Sequence, residues 1–320
     1  MVSDEKCSIT IPPLFTVVET VHFVEKFKEI CQNNQALSRI DLDFIQTNFM
    51  DSSGIGTLVV CRKIAQQNKI SLVLKNVSPS VMMALSLTAL DKVFHIENPQ
   101  PEEPQQKGGQ STAQMMATHP SVNSWAKRAL DIVGALVGLG ITAVLFIPIS
   151  LAILIDDPGP IFFRQERCSL MGRRFNIWKF RSMVVNAEAL KNDVENQVDG
   201  PLFKNENDPR ITSVGRVLRK LSLDELPQFW NVLKGEMSLV GTRPPTPEEL
   251  EAYEIPQWQR LDVRPGMTGE WQVNGRSSVK SFEDVIKMDL KYQEDWSLLY
   301  DIKLIVKTIT VVFDRESGAM

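Results

Sequence analysis

From Ile132 to Ile155 the chain carries no charged side chain, and only Thr142 and Ser150 bring hydrogen-bonding side chains to the run. As one straight helix these 24 residues reach roughly 36 Å, enough to cross the hydrocarbon of a bilayer. A single spanning helix is the plain reading. Pro148 argues against it, because proline removes a backbone donor and predicts a break after Phe146. The flanks argue against it too: Trp125, Lys127 and Arg128 lie at one end, and Arg164, Arg167, Arg173 and Arg174 follow the other. Basic residues on both sides predict that both ends stay cytoplasmic. A re-entrant helix bent at Ile147-Pro148 meets both conditions, with Ser150 offering a partner for irregular backbone at the bend.

The rest of the chain divides around a linker. Between Asn98 and Asn123 the sequence is rich in Pro, Gln, Gly, Ser and Thr. Such a composition buries too little surface to fold. This gives a domain at 1–98, a flexible linker at 99–123 and a second domain at 124–320. Lys and Arg total 35 against 39 Asp and Glu, a balance that gives no support to nucleic-acid binding. Cys7, Cys31, Cys61 and Cys168 have no paired spacing and read as free thiols in a reducing compartment. The three histidines are dispersed, and residues 1–6 are polar and acidic and lead into no apolar signal core.

Residues 7–98 alternate strands and helices. Strands are expected at Ile9–Phe15, Arg39–Ile45, Ile70–Leu74 and Lys92–Ile96, with Ile40, Leu42 and Phe44 on one face. Helices are expected at Val18–Asn33, after Asp51, and around Ser80–Leu90, which makes an α/β unit. Near the C-terminus, Leu298–Phe313 repeats apolar residues at Leu299, Ile302, Ile305, Val306 and Ile309. That pattern fits either a helix lying in a membrane interface or a core-facing helix.

The chemistry centres on Leu221-Ser222-Leu223-Asp224-Glu225-Leu226-Pro227-Gln228. Leu226, Phe229, Trp230 and Leu233 recur at helical spacing and Lys234-Gly235 supplies a stop. Ser222 with Glu225 fits a capping box, which puts Asp224 in a first turn where N–H groups and the dipole attract anions. Arg219 and Lys220 lie upstream and Arg243 follows. Carboxylates among arginines suit a phosphate with a divalent metal, and an Asp can also accept a phosphoryl group as nucleophile. The plainer alternative is that Glu225 caps the helix and Asp224 complements its dipole.

Several motifs follow one another in a known order: Lys179-Phe180-Arg181-Ser182-Met183, Asp224-Glu225, Asn231-Val232-Leu233-Lys234-Gly235, Ser238-Leu239-Val240-Gly241 and Pro265-Gly266-Met267-Thr268-Gly269. On these, residues 124–313 closely resemble the bacterial sugar transferases, membrane-associated phosphoglycosyl transferases that use polyprenyl phosphate. The resemblance implies a mostly helical α+β monotopic domain with one re-entrant helix and interfacial amphipathic helices, on the cytoplasmic face of the bacterial inner membrane. It implies transfer of a sugar 1-phosphate from a nucleotide diphosphate sugar to polyprenyl phosphate, with Mg²⁺, starting a surface glycan. Asp224 is then the nucleophile and Glu225 a metal-binding or positioning group. Arg219 and Arg243 match the family's phosphate-recognising arginines, with Lys179 and Arg181 as further phosphate contacts and Arg276 reaching the nucleotide. Thr242 departs from the Pro many members carry there. The variant Gly241-Thr242-Arg243-Pro244-Pro245-Thr246 resembles the exopolysaccharide branch, which points to a UDP-hexose. Thr246, Pro247 and Glu249 should start another helix as cap, first turn and box.

Phe49-Met50-Asp51-Ser52-Ser53-Gly54-Ile55-Gly56 is similar to the signature loop of STAS domains, which makes the first domain a STAS-like α/β fold. The resemblance implies a regulatory phosphosite at Ser52, and a partner or a second copy bound through this domain. The alternative for Ser52 is a simple N-cap. A different overall reading is a catalytically silent membrane scaffold recruiting partners through the STAS loop. The set Asp224, Glu225, Arg219 and Arg243 argues against it, since a scaffold needs none of them. A STAS-bearing anion transporter is disfavoured because one apolar segment is too few for a transport path.

Overall fold

Pro12 and Pro13 shape the first turn of the fold, because neither can donate to a sheet ladder. The expected single strand at 9–15 is therefore two, β1 (Glu5–Thr10) and β2 (Leu14–Phe15). The computed structural model describes residues 5–34, 36–97, 119–190, 194, 196, 205, 207–274 and 281–313. The chain forms two compact units. One contains Met1–Thr118, Met171–Arg173 and Tyr253–Asp262; the other contains His119–Leu170, Arg174–Ala252 and Val263–Met320.

In the first unit, α1 (Val17–Asn33), β3 (Leu37–Asp43), β4 (Phe49–Met50), α2 (Ser52–Gln67), β5 (Ser71–Lys75), α3 (Pro79–Leu87) and β6 (His95–Glu97) follow in order. The sheet is parallel with order β1-β3-β5-β6, and β2 pairs with β4. Ile40, Leu42 and Phe44 are fully buried, as their alternation predicts. The last strand starts later than expected, because Leu90–Lys92 close a 3-10 turn first. On α1 the buried stripe is Phe23, Val24, Phe27 and Cys31, while Val21 faces solvent. Asp51, not Ser52, caps α2, accepting the Gly54 N–H at 2.9 Å. Residues 99–118 of the expected linker lie outside the described residues, and its end, Pro120–Asn123, forms a helical turn, α4.

The second unit is organised around α5 (Trp125–Asp156). It then has β7 (Phe162–Cys168) antiparallel to β8 (Arg174–Phe180), α6 (Ser213–Lys220), a 3-10 helix at Leu223–Gln228, and α7 (Phe229–Lys234). β9 (Ser238–Val240), α8 (Pro247–Glu251), β10 (Gly266–Thr268), α9 (Glu270–Asn274), α10 (Phe282–Glu294) and α11 (Leu298–Phe313) complete it. β9 and β10 pair in parallel. Helix α8 starts as its sequence predicts, with a Thr246–Glu249 capping box and Pro247 in the first turn.

Helix α5 runs unbroken across Pro148, where a break after Phe146 was expected. Packing on the far side holds it helical. Phe146 stacks on Phe162, and Ile149 and Ile153 enter a core with Phe180 and Leu218. Ser150 does not rescue backbone there; it is buried and its hydroxyl has no partner among the described residues. Nearer the N-terminus, Ala135 joins Phe175, Ile177, Val232 and Met237. At Gly138 any Cβ would fall about 2.4 Å from the Phe229 ring, so only glycine fits.

Both ends of α5 are fastened to its own unit. Lys127 Nζ lies 2.6 Å from Asp301 Oδ2 and donates to the Val240 carbonyl at 3.0 Å. Arg128 donates to the Val232 and Leu233 carbonyls at the end of α7, where the dipole favours a cation. At the other end the Val214 N–H of α6 donates to Asp156 at 2.8 Å, and Arg181 pairs with Asp157 at 3.1 Å. The opposite face of α5 stays uncovered, with Val133, Val137, Val144, Ile147 and Ile155 all exposed.

Asp301 also accepts from the Tyr292 hydroxyl at 2.8 Å and the Trp296 indole at 3.2 Å. Asp301→Ala should leave the Lys127 ammonium buried without its counter-charge and lower unfolding free energy by about 3–5 kcal/mol. Denaturant titration in detergent measures this, and Lys127→Met/Asp301→Leu should recover most of the loss.

Candidate active site

The two carboxylates do not sit at the mouth of a capped α-helix. Ser222 adopts φ +53° and makes no side-chain cap. Its N–H bonds back to the Arg219 carbonyl at 3.0 Å, so it ends α6. The expected Ser222–Glu225 capping box is therefore absent, and Asp224 and Glu225 lie in the 3-10 helix that leads into α7. Leu223 and Leu226, flanking the pair, pack against the Ile149–Phe180 core. That fixes the backbone of the acidic turn, while the Thr142 hydroxyl of α5 lies 3.3 Å from the Leu226 carbonyl.

Strand β8 supplies the facing side. Lys179 Nζ lies 2.7 Å from Glu225 Oε1. Asn231, which opens one of the family motifs without an expected chemical role, sets this register. It is fully buried; its oxygen accepts the Trp178 N–H at 3.2 Å and its amide donates to the Asn176 carbonyl at 2.7 Å. Its amide also lies 2.7 Å from Glu236 Oε2. Helix α7 is thereby tied to β8 beside Lys179.

Asp224 is buried, at 5% exposure. Burial pushes its carboxyl above the usual range; Lys179 and Arg219 pull it back, while Glu225 adds to the rise. The structure thus gathers Asp224, Glu225, Lys179 and Arg219. Arg219 itself donates from Nε to the Ser182 hydroxyl at 2.9 Å.

Arg181 is buried and engages the Asp157 carbonyl and carboxylate, so it anchors the end of α5. Arg243 makes a two-pronged contact with Glu249, at 2.8 and 3.1 Å, the same acid that closes the α8 capping box. Arg276 lies outside the described residues. In the first unit Ser52 is fully buried as the first residue of α2.

Asp224 and Glu225 offer oxygen donors only, and among the described residues no third acid, His or Cys completes a cluster with them. Such a pair suits a hard cation whose remaining positions are filled by phosphate oxygens and water, as Mg²⁺ prefers. A buried carboxylate beside a lysine and an arginine is also suited to meet a phosphate, since the cations neutralise its oxygens.

Residues 122–315 match the bacterial sugar transferase family and residues 12–101 the STAS domain. A 192-residue stretch is 50% identical to the galactosyl transferase CpsE of Streptococcus agalactiae serotype III, covering 58% of this chain and 42% of that protein. The exopolysaccharide production protein ExoY of Rhizobium meliloti is 40% identical, over 60% of this chain and 87% of its own length. The UDP-glucose:undecaprenyl-phosphate glucose-1-phosphate transferase of Escherichia coli is 41% identical, over 62% and 42%. The chain thus spans under half the length of CpsE and of the Escherichia coli enzyme. With well over half of its length matched, the chain belongs to the bacterial sugar transferase family and carries an N-terminal STAS domain.

Proposed function

We propose that this protein transfers a sugar 1-phosphate from a UDP-hexose to polyprenyl phosphate and so initiates an exopolysaccharide or other surface glycan. The observation that carries the reading is the buried Asp224 held beside Glu225, Lys179 and Arg219 within the family-matched region. The names of relatives, which include a UDP-galactose-lipid carrier transferase and an undecaprenyl-phosphate galactose phosphotransferase, support the substrate classes.

In this reading an Asp224 carboxylate oxygen attacks the sugar-bearing phosphorus. The bond to the bridging oxygen breaks, and uridine monophosphate leaves with that electron pair. An oxygen of polyprenyl phosphate then attacks the same phosphorus and displaces Asp224. Lys179 and Arg219 offset the charge of the phosphates and keep Asp224 ionised against its burial. Mg²⁺, held by Asp224 and Glu225, would supply further charge neutralisation on the pyrophosphate. Arg243 holds Glu249 with its guanidinium, so a phosphate contact from it would require exchanging or sharing that acid.

The membrane assignment rests on the uncovered apolar faces. On α5 one side docks and the other is exposed, and on α11 Leu299, Ile302, Val306 and Ile309 are exposed while Asp301 and Leu304 are buried. A lipid surface would cover these faces. Because both ends of α5 dock on the same unit, a monotopic reading fits better than a spanning one even without the expected bend at Ile147-Pro148, with both domains in the cytoplasm. The STAS domain serves regulation or self-association.

Asp224→Asn should abolish formation of lipid-linked sugar phosphate from labelled UDP-glucose or UDP-galactose and polyprenyl phosphate, while the protein still folds and partitions with membrane. Wild-type turnover by this variant would remove Asp224 as nucleophile. A pH series gives a second check. The attacking form is ionised and its pKa is raised, so activity is lost as pH falls through that raised value. In Lys179→Met a compensating cation is gone, and the acidic limb should move to higher pH.

A further inference from the structure

The first unit contains a stretch that the sequence places deep inside the transferase region. Tyr253–Asp262, which includes a 3-10 helix at Ile255–Leu261, packs on α2. Its Trp258 ring covers Gly56 so closely that a Cβ there would lie about 2.5 Å from the indole. The Ser52 hydroxyl is 2.6 Å from Asp262 Oδ1 and 2.7 Å from the Trp258 carbonyl, and its one proton can serve one of them at a time. The Ser52 N–H donates to the same Asp262 oxygen at 3.1 Å. Within the segment Arg260 is fully buried and donates to the Tyr253 hydroxyl at 2.6 Å.

We propose that the Ser52–Gly56 face of the STAS domain is a docking site whose occupant is this chain's own 253–262 segment, and that release of the segment is how the domain acts on the transferase. The segment follows α8 by a single residue and precedes β10 by only Val263, Arg264 and Pro265. Helix α8 carries Glu249, the acid on Arg243. The docked segment is therefore joined through the chain, four residues back, to the acid that holds Arg243. The consequence for activity rests on the functional reading above; the docking itself does not.

The contact is built to be conditional. Asp262 is taken out of water with no basic partner among the described residues, and burial raises its carboxyl to about 7 against the opposing hydrogen bond from Ser52. Asp51, the neighbouring cap, adds like charge. The Ser52 donors at the positive end of a 16-residue helix are what hold Asp262. A second negative charge at position 52 removes a donor and repels the acid in one step.

Hydrogen exchange on the full-length protein in detergent tests this without requiring turnover. Ser52→Asp should raise exchange across 253–262 by roughly tenfold or more, the scale of a one-unit charge interaction, while β3 and β5 keep their protection. Adding Asp262→Asn to that variant, which removes the repelling charge, should return exchange toward wild type. If Ser52→Asp also loosens β3 and β5, Trp258→Ala decides, since it lies on the segment and should free 253–262 with the sheet intact. Wild-type exchange of 253–262 in both Ser52→Asp and Trp258→Ala overturns the proposal. So does failure of the Asn replacement to restore protection when the sheet is intact.

Discussion

The second unit depends on how α5 is fastened. Its apolar run has no partner over one face among the described residues, yet Lys127, Arg128 and Asp131 at one end and Asp156 and Asp157 at the other are all engaged by the same unit. A buried ion pair such as Lys127–Asp301 adds little net stability against an apolar alternative, but breaking it is costly. Its effect is to specify one arrangement. A helix held at both ends is not free to leave the unit at either one. Its docked face then serves as the floor on which Leu223 and Leu226 lie, and between them sits the acidic turn.

That floor explains why Asp224 is buried without being lost to the core. The leucines on either side point into the Ile149–Phe180 cluster, and β8 brings Lys179 to Glu225. Asn231 locks the strand and α7 together. The result is an acid whose burial resists ionisation, with cations placed to restore it. A carboxylate in that state is poorly hydrated.

Sequence patterns revealed the parts whose cause is local. Alternation at Ile40, Leu42 and Phe44, the turn at Asp51, and the Thr246-Pro247-Glu249 start were all legible because neighbours in the chain decide them. Pro148 misled, since packing of Phe146 and Ile149 overrode its tendency to break the helix. Ser222 misled as well: a Ser three residues before a Glu fits a capping box, but the end of α6 needed a left-handed residue first. Lys127 and Arg128 read as topological flanks, and their bonds to Asp301 and α7 depend on partners over a hundred residues away. The same distance hides the Ser52–Asp262 contact. Arg243 and Glu249 were each seen, but nothing local says that one acid would both close a capping box and hold an arginine.

The monotopic placement requires both ends of α5 to lie on one side of the membrane. The direct measurement is labelling by a membrane-impermeant maleimide in intact spheroplasts, with Cys7 replaced by Ser and single cysteines at the exposed positions Asn123 and Pro160. Neither position should label until the cells are lysed, when both should. Labelling of one position from outside, with the other protected, would establish a spanning helix and contradict the account.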